Sequence, residues 1–307
     1  MLKNFDDWNK YEGPNEGSGR SEKIWLEKDG KIGLFKFPKK YIENGKETGE
    51  LSRDYLSEKI ATIIAEKIEI KTAKVDIGTR NGRIGCMSYN ICEGSEILVE
   101  GINFITSVYP NYDQNKLYDS ENERYYGLNM IEESIKSVFK EIPEELYKMI
   151  IFDFIIGNSD RHHSNWAIKF AIKGNDLKYS FSPLYDNGSS LCSFIKEKDI
   201  DNFINTNDKM RVESLINSSS RSKIRINEKI KKEPTQLELI TFLKKFRKDV
   251  IIEYVNYVKK KLTPECINDI IESFSDELIS KKRKELLKFY LNKKIELLKS
   301  VFDKGEL

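Results

Sequence analysis

The amino-acid sequence predicts an α+β fold with two lobes, a β-rich N-terminal lobe and a mainly helical C-terminal lobe. In the N-terminal part, short apolar runs alternate with Asp-Gly and Asn-Gly turns, a pattern that is typical of β-hairpins. Farther along, most apolar residues recur at the three- and four-residue spacing of helices. A chain of 307 residues is long enough to bury a sizeable core. We therefore expect an N-terminal lobe over residues 1–92 and a C-terminal lobe over residues 93–307.

The N-terminal lobe is expected to contain two hairpins and one helix. Residues 24–37 hold two apolar runs around an Asp-Gly turn, and residues 73–91 hold two more around an Asn-Gly turn. Between these hairpins, Ser52 is a suitable N-cap residue for a helix whose apolar residues follow at helical spacing. Residues 12–23 precede the first hairpin, and their Gly, Ser and charged residues predict a loop.

The C-terminal lobe is expected to combine helices with a third hairpin. Pro143 predicts the start of a helix with one apolar face, which leads into the stretch GNSDRHHSNW at residues 157–166. Residues 166–186 predict the hairpin, and residues 239–250 show the apolar spacing of a later helix. The polar, Ser-rich and basic residues 217–232 predict a mobile loop or a partner-facing surface.

Composition excludes several classes of function. Lys and Arg number 52 against 50 Asp and Glu, so a net charge of +2 offers no broad surface for nucleic acid or an anionic membrane. The four cysteines form no C-x-x-C pair, which argues against a zinc site or a disulfide framework. No signal peptide is recognisable, and no apolar stretch has the roughly 18 residues of a membrane span. We expect a cytoplasmic enzyme or regulator with no membrane contact and no direct nucleic-acid contact.

Three polar residues around the third hairpin are predicted to meet at one rim. Asn165 precedes its first strand, Asp186 follows its second strand, and Asp160 lies five residues before Asn165. Antiparallel strands of similar length bring these ends together. Each residue alone would be an ordinary turn former, but the protein-kinase template for phosphoryl transfer uses the same Asp, Asn and Asp at this spacing. The trio therefore predicts a site at which one carboxylate orients a hydroxyl and the other oxygens hold Mg²⁺.

Upstream residues predict the partners that a nucleotide would need. Period-two alternation places Lys36 on the Ile32 and Leu34 face of its strand, where a lysine is expected to contact phosphates. Glu58 on the single predicted helix can pair with Lys36, although Glu50 and Glu66 are nearby alternatives. Backbone N–H groups of the loop before the first hairpin suit a phosphate. The candidates in that loop are Gly17, Ser18, Gly19 and Ser21.

These motifs resemble those of a known family. IGNSDRHHSNW followed by SPLYDNGSSL resembles the HipA-type serine/threonine kinases, with GSGRSEKIWL and LFKFPK as the N-terminal counterparts. The resemblance covers about residues 10–200, and the phosphatidylinositol kinases, with a D-R-H-x-x-N loop, are more distantly similar. It implies a bilobal protein-kinase-like fold, ATP and Mg²⁺ as cofactors, and transfer of the γ-phosphoryl group to serine or threonine of a protein.

The resemblance also implies a role for each candidate residue. Asp160 is expected to be the base, and Asn165 and Asp186 are expected to be the metal ligands. Lys36, paired with Glu58, is expected to contact phosphates. The segment at the position of the adenine-binding hinge is Met87, Ser88 and Tyr89.

The two adjacent histidines are assigned mainly to support of the loop. Adjacent side chains point apart and no third ligand has suitable spacing, so His162 and His163 do not predict a metal site. One imidazole is expected to orient Asp160 or the nearby backbone, and His162 is included among the nucleotide-binding candidates.

The sequence also departs from the family pattern. Longer HipA proteins have a further N-terminal subdomain that we do not expect here, so a small partner resembling it is one candidate, and an antitoxin is another. The metal-site tripeptide is Asp186-Asn187-Gly188, without the aromatic residue of protein kinases. Some HipA relatives are toxins that are inhibited by phosphorylation in the phosphate loop, so autophosphorylation of Ser18 or Ser21 and a toxin-like role are further expectations.

Two other classes of function stay open at this point. One is a lipid or small-molecule kinase that uses the same site. The other is a non-catalytic pseudokinase or binding subunit that retains Asp160, Asn165, Asp186 and Lys36 without turnover.

Overall fold

The computed structural model describes residues 2–13, 22–43, 45–174 and 176–303. It shows a β-rich N-terminal lobe followed by a mainly helical C-terminal lobe, which confirms the predicted fold class. The boundary between the lobes at residue 92 stays a prediction.

The N-terminal lobe combines one long helix with two sheets in the described residues. In chain order its elements are β1 (Lys3–Asn4), β2 (Asn9–Lys10), β3 (Lys23–Lys28), β4 (Lys31–Lys36), β5 (Lys40–Glu43), β6 (Lys46–Leu51), α1 (Asp54–Lys67), β7 (Val75–Arg80) and β8 (Arg83–Tyr89). The larger sheet has the strand order β1-β7-β8-β4-β3-β2, and β5 pairs with β6.

Both predicted hairpins of this lobe are present. Asp29 and Gly30 turn β3 into β4 with φ of 51° and 73°, and Asn81 and Gly82 turn β7 into β8 with φ of 50° and 70°. Positive φ at both central residues matches the twist of the flanking strands, which explains why Asp-Gly and Asn-Gly occur there.

The predicted cap of α1 is wrong. Arg53 occupies the N-cap position, and no side chain caps the helix. The Ser52 hydroxyl instead accepts a hydrogen bond of 2.9 Å from the backbone N–H of Lys39. It therefore fixes the strand-to-helix connection rather than the helix terminus.

The β5–β6 hairpin was not foreseen, and it contacts the C-terminal lobe beyond Asp186. The Tyr41 hydroxyl donates to the carbonyl oxygen of Ser193 at 3.3 Å, and the backbone N–H of Arg53 donates to the same oxygen at 3.0 Å. Glu43 forms ion pairs with Lys196 and Lys198. The two lobes are thus joined by this hairpin as well as by the connecting chain.

The C-terminal lobe contains most of the helices and two small sheets in the described residues. In chain order its elements are β9 (Ile97–Glu100), α2 (Gly101–Val108), β10 (Tyr112–Asp113), β11 (Tyr118–Asp119), β12 (Arg124–Tyr125), α3 (Leu128–Ile135), α4 (Glu144–Ile156), β13 (Ala167–Lys173), β14 (Asp176–Phe181), α5 (Asp201–Ile204), α6 (Lys209–Glu213), α7 (Gln236–Lys261), α8 (Pro264–Glu272) and α9 (Lys281–Asp303). A 3-10 turn covers Glu197–Asp199, and a π turn covers Ser214–Ser218.

Helix α4 is the central helix of the core. It begins directly after Pro143, as predicted, but it is buried on nearly all sides rather than on one face. Every residue from Met149 to Ile156 is buried, including Asp153. The helix ends at Gly157 with φ of 69°, and the polar stretch 157–166 follows. The third hairpin is also present, with β13 and β14 antiparallel and Phe170 opposite Tyr179.

Two later segments differ in part from their predictions. Residues 217–232 pack against the rest of the C-terminal lobe, with Ser220, Ser222 and Arg225 buried, while a partner-facing surface there stays a prediction. In α7, Phe246 and Val250 are half-exposed because non-helical torsions at Arg247 change the direction of the helix and break its apolar stripe.

No described helix combines the length and the apolar character that crossing a bilayer requires.

Replacing Gly157 tests the importance of the turn after α4. A methyl group at this position would have an unfavourable positive φ and would overlap the hydroxyl of the buried Tyr290. We expect Gly157→Ala to lower the free energy of unfolding by about 3 kcal/mol, from strain and overpacking together. Gly82→Ala is the matched control, because Gly82 has φ of 70° but no neighbouring atom within 4 Å, and its cost should be about 1 kcal/mol. Equal losses in urea denaturation would contradict the steric argument.

Candidate active site

A cleft of about 1250 Å³ lies between the lobes. The N-terminal lobe lines it with residues of β3, β4, α1 and β8, and the C-terminal lobe lines it with the 157–166 stretch and the chain around Asp186. The predicted site residues Lys36, Glu58, Asp160 and Asn165 are all among the lining residues. The structure thus brings the predicted residues of both lobes to one cavity, while their chemical roles remain predictions.

Lys36 joins the two lobes electrostatically. Its Nζ lies 2.7 Å from Glu58 Oε1 and 2.8 Å from Asp186 Oδ1. Burial would lower the pKa of Lys36, but the charges of Asp186 and Glu58 outweigh it and hold that pKa well above its usual value. In return, the Lys36 ammonium lowers the pKa of Asp186 to about 2. Lys36 and Asp186 are therefore both charged near neutral pH, and the Asp186 side chain is half-exposed to the cleft.

Glu58 uses its second oxygen to hold the chain after the third hairpin. The backbone N–H of Asn187 donates to Glu58 Oε2 at 3.0 Å, and the Glu58 side chain is almost completely buried. The choice of Glu58 over Glu50 and Glu66 agrees with this geometry. Helix α1 thereby fixes both Lys36 and the backbone next to Asp186.

The stretch with Asp160 and Asn165 is a tight loop held by its own polar groups. The Asn165 side-chain Nδ2 donates to the carbonyl oxygen of Asp160 at 2.7 Å, and Asn165 is buried. The backbone N–H of Asp160 donates to the side chain of Asn158 at 3.1 Å. Asp160 is half-buried at the cleft wall. The loop geometry therefore fixes where the Asp160 carboxylate meets the cavity.

Arg161 was not predicted, and it connects the parts of this site. Its guanidinium is buried and forms a two-point ion pair with Asp153, with hydrogen bonds of 2.9 and 2.8 Å. It also donates to the carbonyl oxygens of Asn165 and Tyr185 and to Asn187 Oδ1, at 2.6, 2.9 and 2.7 Å. Asp153 is the single charged residue in the otherwise apolar run from Met149 to Ile156, and it is the sequence signal that would have indicated a buried partner.

The histidines support the loop, as expected, and one of them faces the core. His162 lines the cleft, and its Nδ1 accepts a hydrogen bond of 3.2 Å from the backbone N–H of Ser164. His163 is buried, with its Nδ1 3.0 Å from the Tyr112 hydroxyl and its ring edge-on to Tyr126. Burial lowers the pKa of His163 to about 4, so it is neutral at physiological pH.

Two of the three predicted hinge residues reach the cleft. Ser88 and Tyr89 are among its lining residues, and Met87 is not. Met87 is completely buried in a core cluster with Phe5, Leu26 and Phe35, against which Tyr89 also packs.

The predicted phosphate-loop residues Gly17, Ser18, Gly19 and Ser21 lie outside the described residues. The strand that follows contributes Lys23, which was missed. Lys23 pairs directly opposite Lys36 in the β3–β4 hairpin and lines the same cleft. Counting outward from the Asp29-Gly30 turn would have placed Lys23 beside Lys36, because opposite residues of an antiparallel pair share a face. Lys223, from the segment at residues 217–232, also lines the cleft and was missed.

Removing the counter-charge of Arg161 should destabilise the fold. Asp153→Asn would leave a buried guanidinium without its carboxylate, and we expect a loss of about 3 kcal/mol in the free energy of unfolding. Glu144→Gln is the control on the same helix, because Glu144 forms an exposed i,i+4 pair with Lys148. Its effect should stay below about 0.5 kcal/mol. Urea denaturation of both variants measures the contrast, and similar losses would show that Arg161 does not depend on Asp153.

Protonation of His163 should oppose folding in mild acid. Its pKa falls from 6.5 to about 4 on folding, so between these values the unfolded chain binds the proton more readily. The free energy of unfolding should therefore decrease as the pH falls through this range, by up to roughly 3 kcal/mol from this residue. Urea denaturation at several pH values should show a shallower dependence for His163→Gln than for the unsubstituted protein. Parallel curves would exclude a contribution of His163.

Known proteins share both the sequence pattern and the fold of this chain. The family model for the HipA-like C-terminal domain matches residues 17–251. The structure of CtkA, a proinflammatory kinase of Helicobacter pylori, aligns with a TM-score of 0.79 at 18% identity, covering 100% of both chains. A Shewanella oneidensis MR-1 HipA structure, from a toxin–antitoxin complex with HipB and operator DNA, aligns with a TM-score of 0.55 at 14% identity. That alignment covers 96% of this chain and 69% of the other.

No curated protein matches the sequence. The two structural likenesses have low identity and establish the fold alone, which is that of a kinase. The family match is independent of them and extends over most of the sequence. It confirms the predicted resemblance: the chain belongs to the HipA-like C-terminal domain family.

Proposed function

We propose that this chain is an ATP- and Mg²⁺-dependent protein kinase that phosphorylates serine or threonine of a protein. The observation that carries the proposal is the Lys36–Glu58–Asp186 cluster facing the Asp160–Asn165 loop across one cleft. Family membership and the fold shared with CtkA support the same class of activity.

In the proposed reaction, Asp160 orients the acceptor hydroxyl and accepts its proton. The hydroxyl oxygen forms a bond to the γ-phosphorus, the bond from that phosphorus to the bridging oxygen breaks, and ADP leaves. Lys36 would donate to the phosphates from the N-terminal lobe, held in place by Glu58. Lys23, directly opposite Lys36 on the paired strand, is a second cation proposed for the phosphate end of the cleft. Catalysis then consists mainly of positioning and charge stabilisation.

The residues at the cleft fit a magnesium ion. Asp186 offers a half-exposed carboxylate, and Asn165 has its Nδ2 bound to the loop, so its Oδ1 is the end that a cation would use. Hard oxygen ligands of this kind suit Mg²⁺, which usually takes one or two protein oxygens together with phosphates and water. The described residues contain no cluster of three or more His, Cys, Asp or Glu that would hold a metal by itself. Bound Mg²⁺ would neutralise charge on the transferred phosphoryl group.

Ser88 and Tyr89 are proposed to lie beside the adenine, with Met87 contributing through its backbone. His162 is proposed to approach the phosphates from the loop, since it lines the cleft next to Asp160.

The proposal extends to partners and regulation. The HipA neighbour was solved with its antitoxin HipB, so an antitoxin or another small protein partner, and a toxin-like role, are proposed for this chain as well. Autophosphorylation of Ser18 or Ser21 is proposed as an inhibitory step. Because ATP is the proposed donor, we propose that the activity is cytoplasmic.

Substitution of the proposed base tests the function. Asp160→Asn should lower ATP-dependent phosphoryl transfer, including autophosphorylation, by at least about 100-fold, because the amide cannot accept the hydroxyl proton. Mass spectrometry after incubation with Mg²⁺ and ATP measures transfer, and a thermal shift with the same nucleotide measures binding. Binding should persist in the variant.

Asp176→Asn is the matched control, since Asp176 is exposed at the far end of the third hairpin. Undiminished transfer by Asp160→Asn would refute the base assignment. Failure of the unsubstituted protein to bind nucleotide would refute the function itself.

A further inference from the structure

The basic segment at residues 217–232 is anchored beside the cleft. The backbone N–H of Arg225 donates to the Tyr126 carbonyl at 3.2 Å, and the Leu128 N–H donates to the Arg225 carbonyl at 3.0 Å. Ser222 donates through its N–H to the Pro234 carbonyl at 3.0 Å. Hydrogen bonds on both sides therefore fix the backbone around Lys223.

Lys223 brings a positive charge to the same cavity as Asp160. Its side chain is about one-third exposed, and it lines the cleft together with Asp160 and His162. Lys223 therefore brings its charge into the cleft from the lobe that also carries Asp160.

The surroundings of Lys223 carry excess positive charge. Lys223 Nζ lies 2.9 Å from Glu233 Oε1, and Arg225 approaches the same oxygen at 3.8 Å. Arg221 donates to the backbone carbonyl of Glu233 at 2.6 Å. Two cations thus share one carboxylate, with Arg221 a third cation at the backbone of the same residue, and a further carboxylate brought to Lys223 would meet a favourable potential.

The position of Lys223 separates it from the proposed nucleotide contacts. Lys36 and Lys23 come from strands of the N-terminal lobe, whereas Lys223 comes from the C-terminal lobe between the chain that follows Asp186 and helix α7. A hydroxyl oriented by Asp160 must approach from the side opposite the leaving nucleotide, because attacking and leaving oxygens are roughly in line. The chain that carries this hydroxyl would consequently pass along the C-terminal lobe.

Resting on the proposed kinase function, we propose that Lys223 selects acceptor segments in which an aspartate or glutamate lies near the phosphorylated serine or threonine. The acceptor carboxylate would pair with Lys223 beside Glu233, while its hydroxyl reaches Asp160. The substrate class is therefore an acidic protein segment, and residues 217–232 are the surface that recognises it.

Peptide libraries with a central serine test this selection. One library has Asp or Glu at the flanking positions, a second has Asn or Gln there, and a third has Lys or Arg. Initial rates with labelled ATP and Mg²⁺ should favour the acidic over the neutral library by about fivefold, the effect of one partly exposed ion pair. Lys223→Gln should abolish this preference, and Lys223→Glu should shift it to the basic library.

Lys229→Gln is the matched control from the same segment. Lys229 is exposed, and its Nζ donates to the Asn122 carbonyl rather than lining the cleft, so the acidic preference should remain. Because each result is a ratio of rates within one variant, partial loss of folded enzyme does not alter it.

The outcomes also separate this inference from the kinase function. A neutral or basic preference of the unsubstituted enzyme, or an acidic preference that survives Lys223→Gln, would overturn the selection by Lys223 and leave the kinase function intact. Autophosphorylation without transfer to any library would overturn it as well. Absence of both transfer and nucleotide binding would instead refute the kinase function.

Discussion

The buried ion pair between Arg161 and Asp153 is the interaction on which the site depends. All five N–H donors of the guanidinium are used, two on Asp153 and three on acceptors of the loop and of the chain beyond the third hairpin. Asp153 belongs to α4, which is buried on nearly all sides. The ion pair therefore fixes the position of the loop relative to the core. A buried charge is costly unless every hydrogen bond is made, which restricts the loop to arrangements that satisfy all these acceptors.

A second charged group, at the cleft surface, complements this buried pair. Lys36 belongs to the N-terminal lobe, yet one of its carboxylate partners, Asp186, belongs to the other lobe. Glu58 contacts both Lys36 and the Asn187 backbone, and Asn187 in turn accepts a hydrogen bond from Arg161. The buried and exposed charges therefore form one continuous network, which runs from α4 to β4 across the interface between the lobes.

Local sequence patterns were sufficient for the fold class and for most of the candidate residues. Turn dipeptides define the hairpins, and the hairpins define which side chains share a rim or a strand face, so Lys36, Asp160, Asn165 and Asp186 could be grouped from the sequence. The pairing of Arg161 with Asp153 could not, because it depends on how α4 packs in three dimensions. The same is true of Ser52, whose hydroxyl accepts a hydrogen bond from Lys39 in the connection between β4 and β5 rather than from the first turn of α1. For the basic segment at residues 217–232, a polar composition could not predict the packing of its backbone and buried serines, because that packing is set by contacts with β12, α3 and the start of α7.

The contact of the β5–β6 hairpin with the chain after Asp186 is a second connection between the lobes, so that the two connections together form a closed ring around the cleft. One side of the ring is the covalent connection between the lobes, and the other is formed by Tyr41, Glu43 and Arg53 against Ser193, Lys196 and Lys198. A hinge motion that widens the cleft on this side must separate these groups. The Glu43 pairs are partly exposed and individually weak, and dissolved salt screens them. Added salt should therefore weaken the Glu43 pairs of this contact, while the hydrogen bonds to the Ser193 carbonyl, which involve no full charge, should be much less affected.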